Sequence, residues 1–507
     1  MSASVDPDRS EWDVIVLGGA AAGENAAQYA TQFSGLEAVI VEKELVGGEC
    51  SYWACMPSKA LLRPVEVLSI GRDLPGVSRL VADRPLDAAA VLARRDVVVN
   101  HLDDSSQVRW ALGVGIDVVR GRGRLDGERA VVVVGPDGNE RRLTGRHAVV
   151  LDTGSTPFVP LVPGLREARP WNSRDVTNIH EVPARVVVVG GGVVACEAAT
   201  WLRGLGVVEV TVVHRGPRLL ARTEPFAGEL VAAALREAGV ALRLRTSPVA
   251  VRRDRVNNAG VGHVHGGEVT VTLSDGDAVV ADEIVVATGR TPNTDGIGLE
   301  TVGLELGPGA PVPVDDHVTV TGVAGGWLYA IGDLTGRALL THMGKYQARI
   351  AGSVIAARAA GQPLDDRPYS VHSDVVNDGR VPQVIFTDPE VGAVGLTEAE
   401  ARERGLDVEV VEYDLAQLAG TYVLRETYVG RAKLVLDRSS DVVVGATFVG
   451  TGVAELTHSA TMAVVGKVPV PVLWHVVPSY PTASEAWLRL LENLNAARQT
   501  LPAARQT

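Results

Sequence analysis

Residues 13–23 read Asp-Val-Ile-Val-Leu-Gly-Gly-Ala-Ala-Ala-Gly, and a helix-compatible stretch continues to about Phe33. An apolar run, a glycine-rich turn and a helix in that order fit a dinucleotide-binding unit. There the glycines let the chain turn tightly and offer a helix N-terminus to a pyrophosphate. A second strand, Ala38–Glu42, follows, and Glu42 supplies the acid that such a unit places on ribose hydroxyls. The pattern returns at 185–195 as Arg-Val-Val-Val-Val-Gly190-Gly191-Gly192-Val-Val-Ala, with a helix to about Leu205 and a strand at Val210–Val213. One glycine-rich turn alone is weak evidence. Two of them, about 170 residues apart and each set between strand and helix, argue for two dinucleotide-binding domains.

The two units differ at the ribose position. The first has Glu42; the second has His214, followed by Arg215, Arg218 and Arg222. A carboxylate repels a 2′-phosphate and an arginine pairs with it, so the second unit favours NADPH, with NADH left open.

Apolar residues make up 46% of the 507, with few aromatics, and the formal net charge is −13. Val-rich runs such as Val14–Val16, Val131–Val134 and Val186–Val189 read as strands buried on both faces. The negative charge disfavours nucleic acid as a partner. No apolar run is long and glycine-free enough to span a bilayer. The polar N-terminus lacks the charged-then-apolar pattern of a signal peptide, and a cytoplasmic protein is the expectation. There are three cysteines, Cys50, Cys55 and Cys196. A secreted disulfide scaffold would use more, and zinc would want about four ligands, so no metal is expected and the close pair points to redox chemistry. Cys196 reads as a small core residue.

Residues 47–59 read Gly-Gly-Glu-Cys-Ser-Tyr-Trp-Ala-Cys-Met-Pro-Ser-Lys. This string resembles the active-site motif of the pyridine nucleotide–disulfide oxidoreductases, the group of glutathione reductase, lipoamide dehydrogenase and mercuric reductase. The resemblance continues through Ala287-Thr-Gly289-Arg290-Thr-Pro-Asn293, Tyr329-Ala-Ile-Gly332-Asp333, Leu340-Thr341-His342, Phe386-Thr-Asp-Pro-Glu390 and Pro481-Thr-Ala-Ser-Glu485. It implies an α/β protein with two Rossmann-like dinucleotide-binding domains plus a C-terminal α+β dimerisation domain. The boundaries it suggests are 1–157 and 290–365 for the two parts of an FAD-binding domain, 158–289 for an NAD(P)-binding domain and 366–495 for an interface domain. Residues 496–507, which repeat Ala-Ala-Arg-Gln-Thr, are expected to form a disordered tail.

The resemblance also implies roles. FAD would lie along Gly18, Gly23 and Glu42, with Thr153, Gly154, Asp333 and Thr341 around it. NADPH would lie on Gly190, Gly192, His214 and Arg215, with Gly289 at the hinge. Cys55 would be the thiol against the flavin and Cys50 the outer thiol that meets the acceptor, while Lys59 would pair with Glu197 near the flavin N5. A homodimer is implied, because in the family the last domain of one subunit completes the site of the other. In a regular helix two Cα atoms five residues apart lie roughly 8–9 Å apart, whereas a disulfide needs about 4.4–6.8 Å. The helix turn carrying the pair is therefore expected to be distorted, with Pro57 removing one backbone donor. A helix N-terminus is expected to favour the thiolate.

Three positions depart from the family pattern. Ala20 replaces the middle glycine of the first turn. Asp152, in Leu151-Asp-Thr-Gly154, replaces a small residue. Tyr480 stands where the family's thiol reductases carry a histidine, ahead of Glu485, and a phenol with a pKa of about 10 is a poor proton shuttle at neutral pH. Mercuric reductase is similar in carrying a tyrosine there, but it also adds C-terminal cysteines that this sequence lacks, so mercury reduction ranks low. The expected activity is transfer of electrons from NAD(P)H through FAD and the Cys50–Cys55 pair to a disulfide-type or other small acceptor. The alternatives are a quinone or small-electrophile reductase working directly from FAD, and a non-catalytic flavoprotein subunit.

Overall fold

The computed structural model describes residue 6 and residues 8–500. The described chain divides into two units. The first holds residues up to 57, 96–158 and 289–377; the second holds 58–95, 159–288 and those from 378 onward.

The first unit is built on a sheet with the order Ile116–Arg120, Ala38–Glu42, Glu11–Leu17, Glu140–Leu151, Ala130–Val134, Arg122–Leu125; Leu328–Ala330 also pairs with Glu140–Leu151. The strands Glu11–Leu17 and Ala38–Glu42 run parallel, Val14 opposite Ala38 and Leu17 opposite Val41. Nearly every residue in both is buried, as expected for Val- and Ile-rich strands covered on two faces. One apolar core covers one face through Trp12, Ile15, Leu17 and Val39. Another covers the opposite face through Val14, Val16 and Ile40, packed on Ala26, Ala27 and Ala30 of the helix Ala21–Thr31. From Val14 onward the alternation of strand side chains between two faces separates the cores, and a register shift between Trp12 and Val14 breaks that alternation at Trp12.

The second unit holds a parallel sheet ordered Ala241–Leu244, Glu209–His214, Arg185–Val189, Glu283–Val286. A three-stranded antiparallel sheet follows, Pro248–Arg253, Val269–Leu273 and Ala278–Ala281. From 378 onward the chain forms a five-stranded antiparallel sheet, Pro382–Ile385, Glu390–Gly395, Val442–Gly450, Arg431–Asp437, Val408–Asp414, together with helices that include Leu456–Val465 and Ala486–Thr500. The α/β class and the α+β C-terminal part are as expected. The tail is not. Residues 496–500 continue the helix Ala486–Thr500, and Arg498 donates to Glu409 at 2.8 Å and to Asp441 at 2.8 Å. The first copy of the repeat is thus held by ion pairs, while 501–507 lie outside the described residues.

One buried acid of the antiparallel sheet makes a pH-dependent contribution to stability. Burial pushes the Glu390 carboxyl up to about 7, against a hydrogen bond from the Ala454 N–H at 3.2 Å. Its folded pKa exceeds its unfolded one, so the stability it contributes is full below the unfolded value and is lost as pH rises through about 7. Glu390→Gln is therefore expected to stabilise the protein by up to ~3 kcal/mol above that range and by little near pH 4. Denaturant melts of both proteins at the two pH values check this.

Candidate active site

The first glycine turn is shaped by close backbone approach. Gly18 has φ +107°, and a Cβ there would stand 2.0 Å from the Asp152 carbonyl oxygen, so only glycine fits. A Cβ on Gly23 would stand 2.0 Å from the Gly18 carbonyl oxygen. The helix Ala21–Thr31 then starts from Ala20, which has no side chain to cap it. Such an uncapped N-terminus attracts an anion. Ala20 itself is unstrained at φ −73°. Its methyl lies against Gly48, where an added Cβ would come within 2.6 Å of it. The substituted turn is thus accommodated by a glycine in the cysteine loop.

Carboxylates surround this turn. Glu42 accepts the Gly19 N–H at 2.7 Å and the Glu44 N–H at 2.7 Å. Asp152 accepts the Gly23 N–H at 2.6 Å. Glu24, one residue past the turn, is pushed by burial up to about 7, and its Oε1 is buried with no hydrogen-bond partner. Asp333 accepts from the Ser155 hydroxyl at 2.6 Å. Arg290 donates to that hydroxyl at 2.6 Å and lies 3.7 Å from both Asp333 and Glu49. Thr153 and Asn293 tie the two segments of this unit together by side chain-to-carbonyl bonds of 2.9 and 2.8 Å. The shape of the turn fits a dinucleotide phosphate: the helix end is uncapped by its own residue, and Gly154, at φ +69°, has open space where a Cβ would stand.

The cysteine pair straddles a helix break. Gly48–Tyr52 is a single turn of helix that ends at Trp53 (φ −127°, ψ −8°), and a new helix, Cys55–Asp73, begins at the second cysteine. The expectation of one distorted helical turn is corrected: Cys50 and Cys55 lie on two helices, and the break at 53–54 brings them together. Pro57 sits in the first turn of the second helix, where a backbone N–H has no carbonyl to meet. Both thiols are half-buried, and neither is joined in a disulfide. Cys50 hydrogen-bonds to Cys55 and to Thr341, whose hydroxyl lies 3.4 Å from the Cys55 Sγ. The bond to Cys55 and burial hold the Cys50 thiol well above the usual range, against the Thr341 hydroxyl and the charge of Lys345. The expected thiolate-favouring effect of the helix end is thus outweighed at Cys50.

In the second unit Lys59 and Glu197 come together at 2.8 Å. Glu197 is 3% exposed and also accepts the Phe386 N–H at 2.9 Å; the Lys59 ammonium stands 4.7 Å over the Phe386 ring. Cys196 is buried among apolar residues, which pushes its thiol up to about 12. The second glycine turn has its own close contact. A Cβ on Gly191 would stand 2.4 Å from the His214 ring, and burial and Arg215 lower the His214 pKa. His214 therefore packs as a neutral ring rather than adding charge. The helix Val193–Gly204 starts from Gly192 without a side-chain cap. Arg215 is exposed. Arg218, expected as a supporting cation, spends its guanidinium on the carbonyls of Ala221 and Thr223.

Tyr480 is 74% exposed. Glu485 is buried; one of its oxygens accepts from Arg489 at 2.7 Å, and the other has no hydrogen-bond partner. Sequence reading assigned no role to Glu24, Glu49 or Arg290, set Thr341 beside the flavin rather than against the cysteines, and offered no account of Asp152. The signal in the sequence is that Glu24 and Glu49 directly follow glycines of their loops and that Asp152 precedes Thr153-Gly154. Among the described residues no group of three or more His, Cys, Asp or Glu is placed to hold a metal ion, and no helix is long and apolar enough to cross a membrane.

A mercuric reductase of Staphylococcus aureus is 29% identical over 462 residues, covering 91% of this chain and 78% of the relative. A dihydrolipoyl dehydrogenase of Chlorobaculum tepidum is 31% identical over 481 residues, covering 94% and 95%. The HOCl-induced flavoprotein disulfide reductase RclA of Escherichia coli, solved as a Cu(II) complex, superposes with a TM-score of 0.78 at 23% identity, covering 96% of this chain and 99% of that one. Residues 12–361 match the family model for pyridine nucleotide-disulphide oxidoreductases, and 381–491 match the dimerisation domain of the same family. The chain therefore belongs to the pyridine nucleotide-disulphide oxidoreductases, a family of enzymes that use FAD and NAD(P)H.

Proposed function

We propose that this protein takes two electrons from NADPH and delivers them, through FAD and the Cys50–Cys55 pair, to a disulfide-type or other small acceptor. The observation that carries the reading is the side-by-side placement of Cys50 and Cys55 across a helix break, with the Thr341 hydroxyl against both. FAD, when bound, supplies the relay that accepts a hydride and passes on an electron pair. Gly18 and Gly23 would hold its phosphates, Glu42 the adenosine ribose and Asp333 the ribityl chain, with Thr153 and Gly154 beside it. The protein's own chemistry is balanced: one hydride and one proton turn the Cys50–Cys55 disulfide into two thiols, and NADPH leaves as NADP⁺. Cys50 then attacks the acceptor and Cys55 closes the disulfide again, so the acceptor gains two electrons and two protons. Lys59, fixed by Glu197, would place a positive charge where electron density builds up. Domain roles follow the boundaries above, with FAD on 1–157 and 290–365, NADPH on 158–289 and the interface on 366–495.

A homodimer is part of the reading. It is supported by the dimerisation-domain match and by exposed Trp474, Val476 and Val477 close to Tyr480 in sequence. A direct quinone or small-electrophile reductase is the second reading, favoured by the lack of an imidazole at position 480. An acceptor screen following NADPH oxidation with disulfides, quinones, metal ions and oxygen tests the proposal. Turnover with disulfides supports it, and turnover with quinones alone favours the second reading.

Preference for NADPH rests on Arg215, since His214 is held neutral by its packing. Arg215→Glu is expected to weaken NADPH binding by on the order of 1.5–3 kcal/mol, the scale of one charge-assisted contact. NADH binding should change little. Steady-state kinetics with the two nucleotides check this.

A further inference from the structure

The strand Glu140–Leu151 delivers Asp152 beneath the first glycine turn. This acid is 5% exposed. Its Oδ2 accepts the Gly23 N–H at 2.6 Å, and its Oδ1 would stand 3.0 Å from a Cβ built on Gly332. The side chain thus fills the space between the helix start and the Gly332–Thr335 turn. Ala20 offers no cap of its own, so Asp152 caps the helix from a position 129 residues away in the chain.

The charged groups around it are predominantly acidic. Asp333 faces it from the Gly332–Thr335 turn, Glu42 from the end of Ala38–Glu42 and Glu24 from the helix Ala21–Thr31. Lys345 and Asp104 act on Glu24, and Arg290 stands 3.7 Å from Asp333. Burial and the three carboxylates push the Asp152 carboxyl well above its usual range, against the pull of the Gly23 N–H. An ionised Asp152 would be a second anion at the helix end meant for a phosphate. A protonated one keeps an oxygen for Gly23 and gains an O–H, and an O–H donated to an anionic oxygen is a strong hydrogen bond.

We propose that Asp152 meets the FAD pyrophosphate as a neutral carboxylic acid, accepting the Gly23 N–H on one oxygen and donating its proton to the phosphate from the other. This rests on reading the Gly18–Gly23 turn as the FAD site. Its consequence is linkage between flavin and a proton. The arriving pyrophosphate raises the Asp152 pKa further, so binding takes up one proton. Affinity is full below the pKa of the flavin-free protein and falls as pH rises above it, by about tenfold per pH unit, until the pKa of the bound form is reached.

The test is the FAD dissociation constant, read from flavin fluorescence on release from the holoenzyme across the pH range in which the protein stays folded. Proton uptake is read by calorimetry in buffers of different ionisation heat. The wild type is expected to lose affinity with rising pH and to take up one proton. Asp152→Asn keeps the shape and a donor but cannot ionise, so in a Glu24→Gln background, which removes the second raised carboxyl of the turn, it should bind FAD at the low end within a few-fold of Glu24→Gln alone, with no slope and no uptake. Glu24→Gln should keep the slope. A Glu24→Gln affinity flat in pH, or a slope surviving in Asp152→Asn/Glu24→Gln, would overturn the proposal while leaving the FAD site standing. Failure of the wild type to bind FAD at any pH would remove the site and the proposal together.

Discussion

Replacing Cys55 with serine is expected to reduce NADPH-driven turnover with a disulfide acceptor to background, a loss on the order of 10³–10⁶-fold, the scale set by removing a nucleophile that acts as part of a unit. The expectation follows from the balance of the reaction. With one sulfur there is no disulfide to open, and the acceptor has no reduced pair to close behind it. Cys50→Ser should lose the same turnover for a different reason: Cys55 remains beside Thr341, 3.4 Å from its hydroxyl, but the thiol that meets the acceptor is gone. Both variants should fold, since serine is close in size and both positions are only half-buried. NADPH oxidation by quinones is the control. If the double variant retains full turnover with quinones and wild type shows none with disulfides, the electrons leave from the flavin and the cysteines are bystanders.

The second large effect is a gain. The Cys50 thiol is held above its usual range by Cys55 and by burial, and in the proposed homodimer the phenol of Tyr480 is the group that would meet it. Phenol and imidazole differ in pKa by about 3.5 units, and general acid–base help is worth ~10²–10⁴-fold. Tyr480→His should therefore raise disulfide reduction by up to that factor. By the family resemblance Glu485 would orient the new ring; it is buried, one oxygen is held by Arg489 and the other has no hydrogen-bond partner. The gain should acquire a pH dependence near the imidazole pKa, about 6.5. It should vanish in Tyr480→His/Glu485→Ala. A Tyr480→His enzyme no faster than wild type with any disulfide would show that proton transfer to the outer thiol is not what limits the reaction. Tyr480→Phe separates packing from chemistry: little change if the ring only packs, a large loss if the hydroxyl orients the acceptor.

The strands and glycine turns were legible because they are local. Val14–Val16 and Val186–Val189 announce doubly covered strands by composition, and Gly18 is demanded by a positive φ and a backbone oxygen 2.0 Å from where a Cβ would be. The 2.8 Å pairing of Lys59 with Glu197 could be anticipated only from the family motif; nothing in the spacing of two residues 138 positions apart implies it. The helix break at 53–54 falls four residues before Pro57, where a continuous helix would set the proline ring against the Trp53 carbonyl. What stayed hidden depends on where distant segments meet. Asp152 looks like an error in a small-residue position until the Gly23 N–H is seen 2.6 Å away. Arg218 carries the same charge as Arg215 but spends it on loop carbonyls. The repeat at 496–500 reads as low complexity, yet Arg498 finds Glu409 and Asp441.

The most direct test of the central claim is an anaerobic titration of the purified holoenzyme with one equivalent of dithionite, followed by absorbance and by counting reactive thiols. The account predicts that the two electrons open the Cys50–Cys55 disulfide: two new thiols per chain appear, and a long-wavelength absorbance band arises from the Cys55 thiolate beside oxidised FAD. Simple bleaching of the flavin, with no such band and no new thiols, would contradict it.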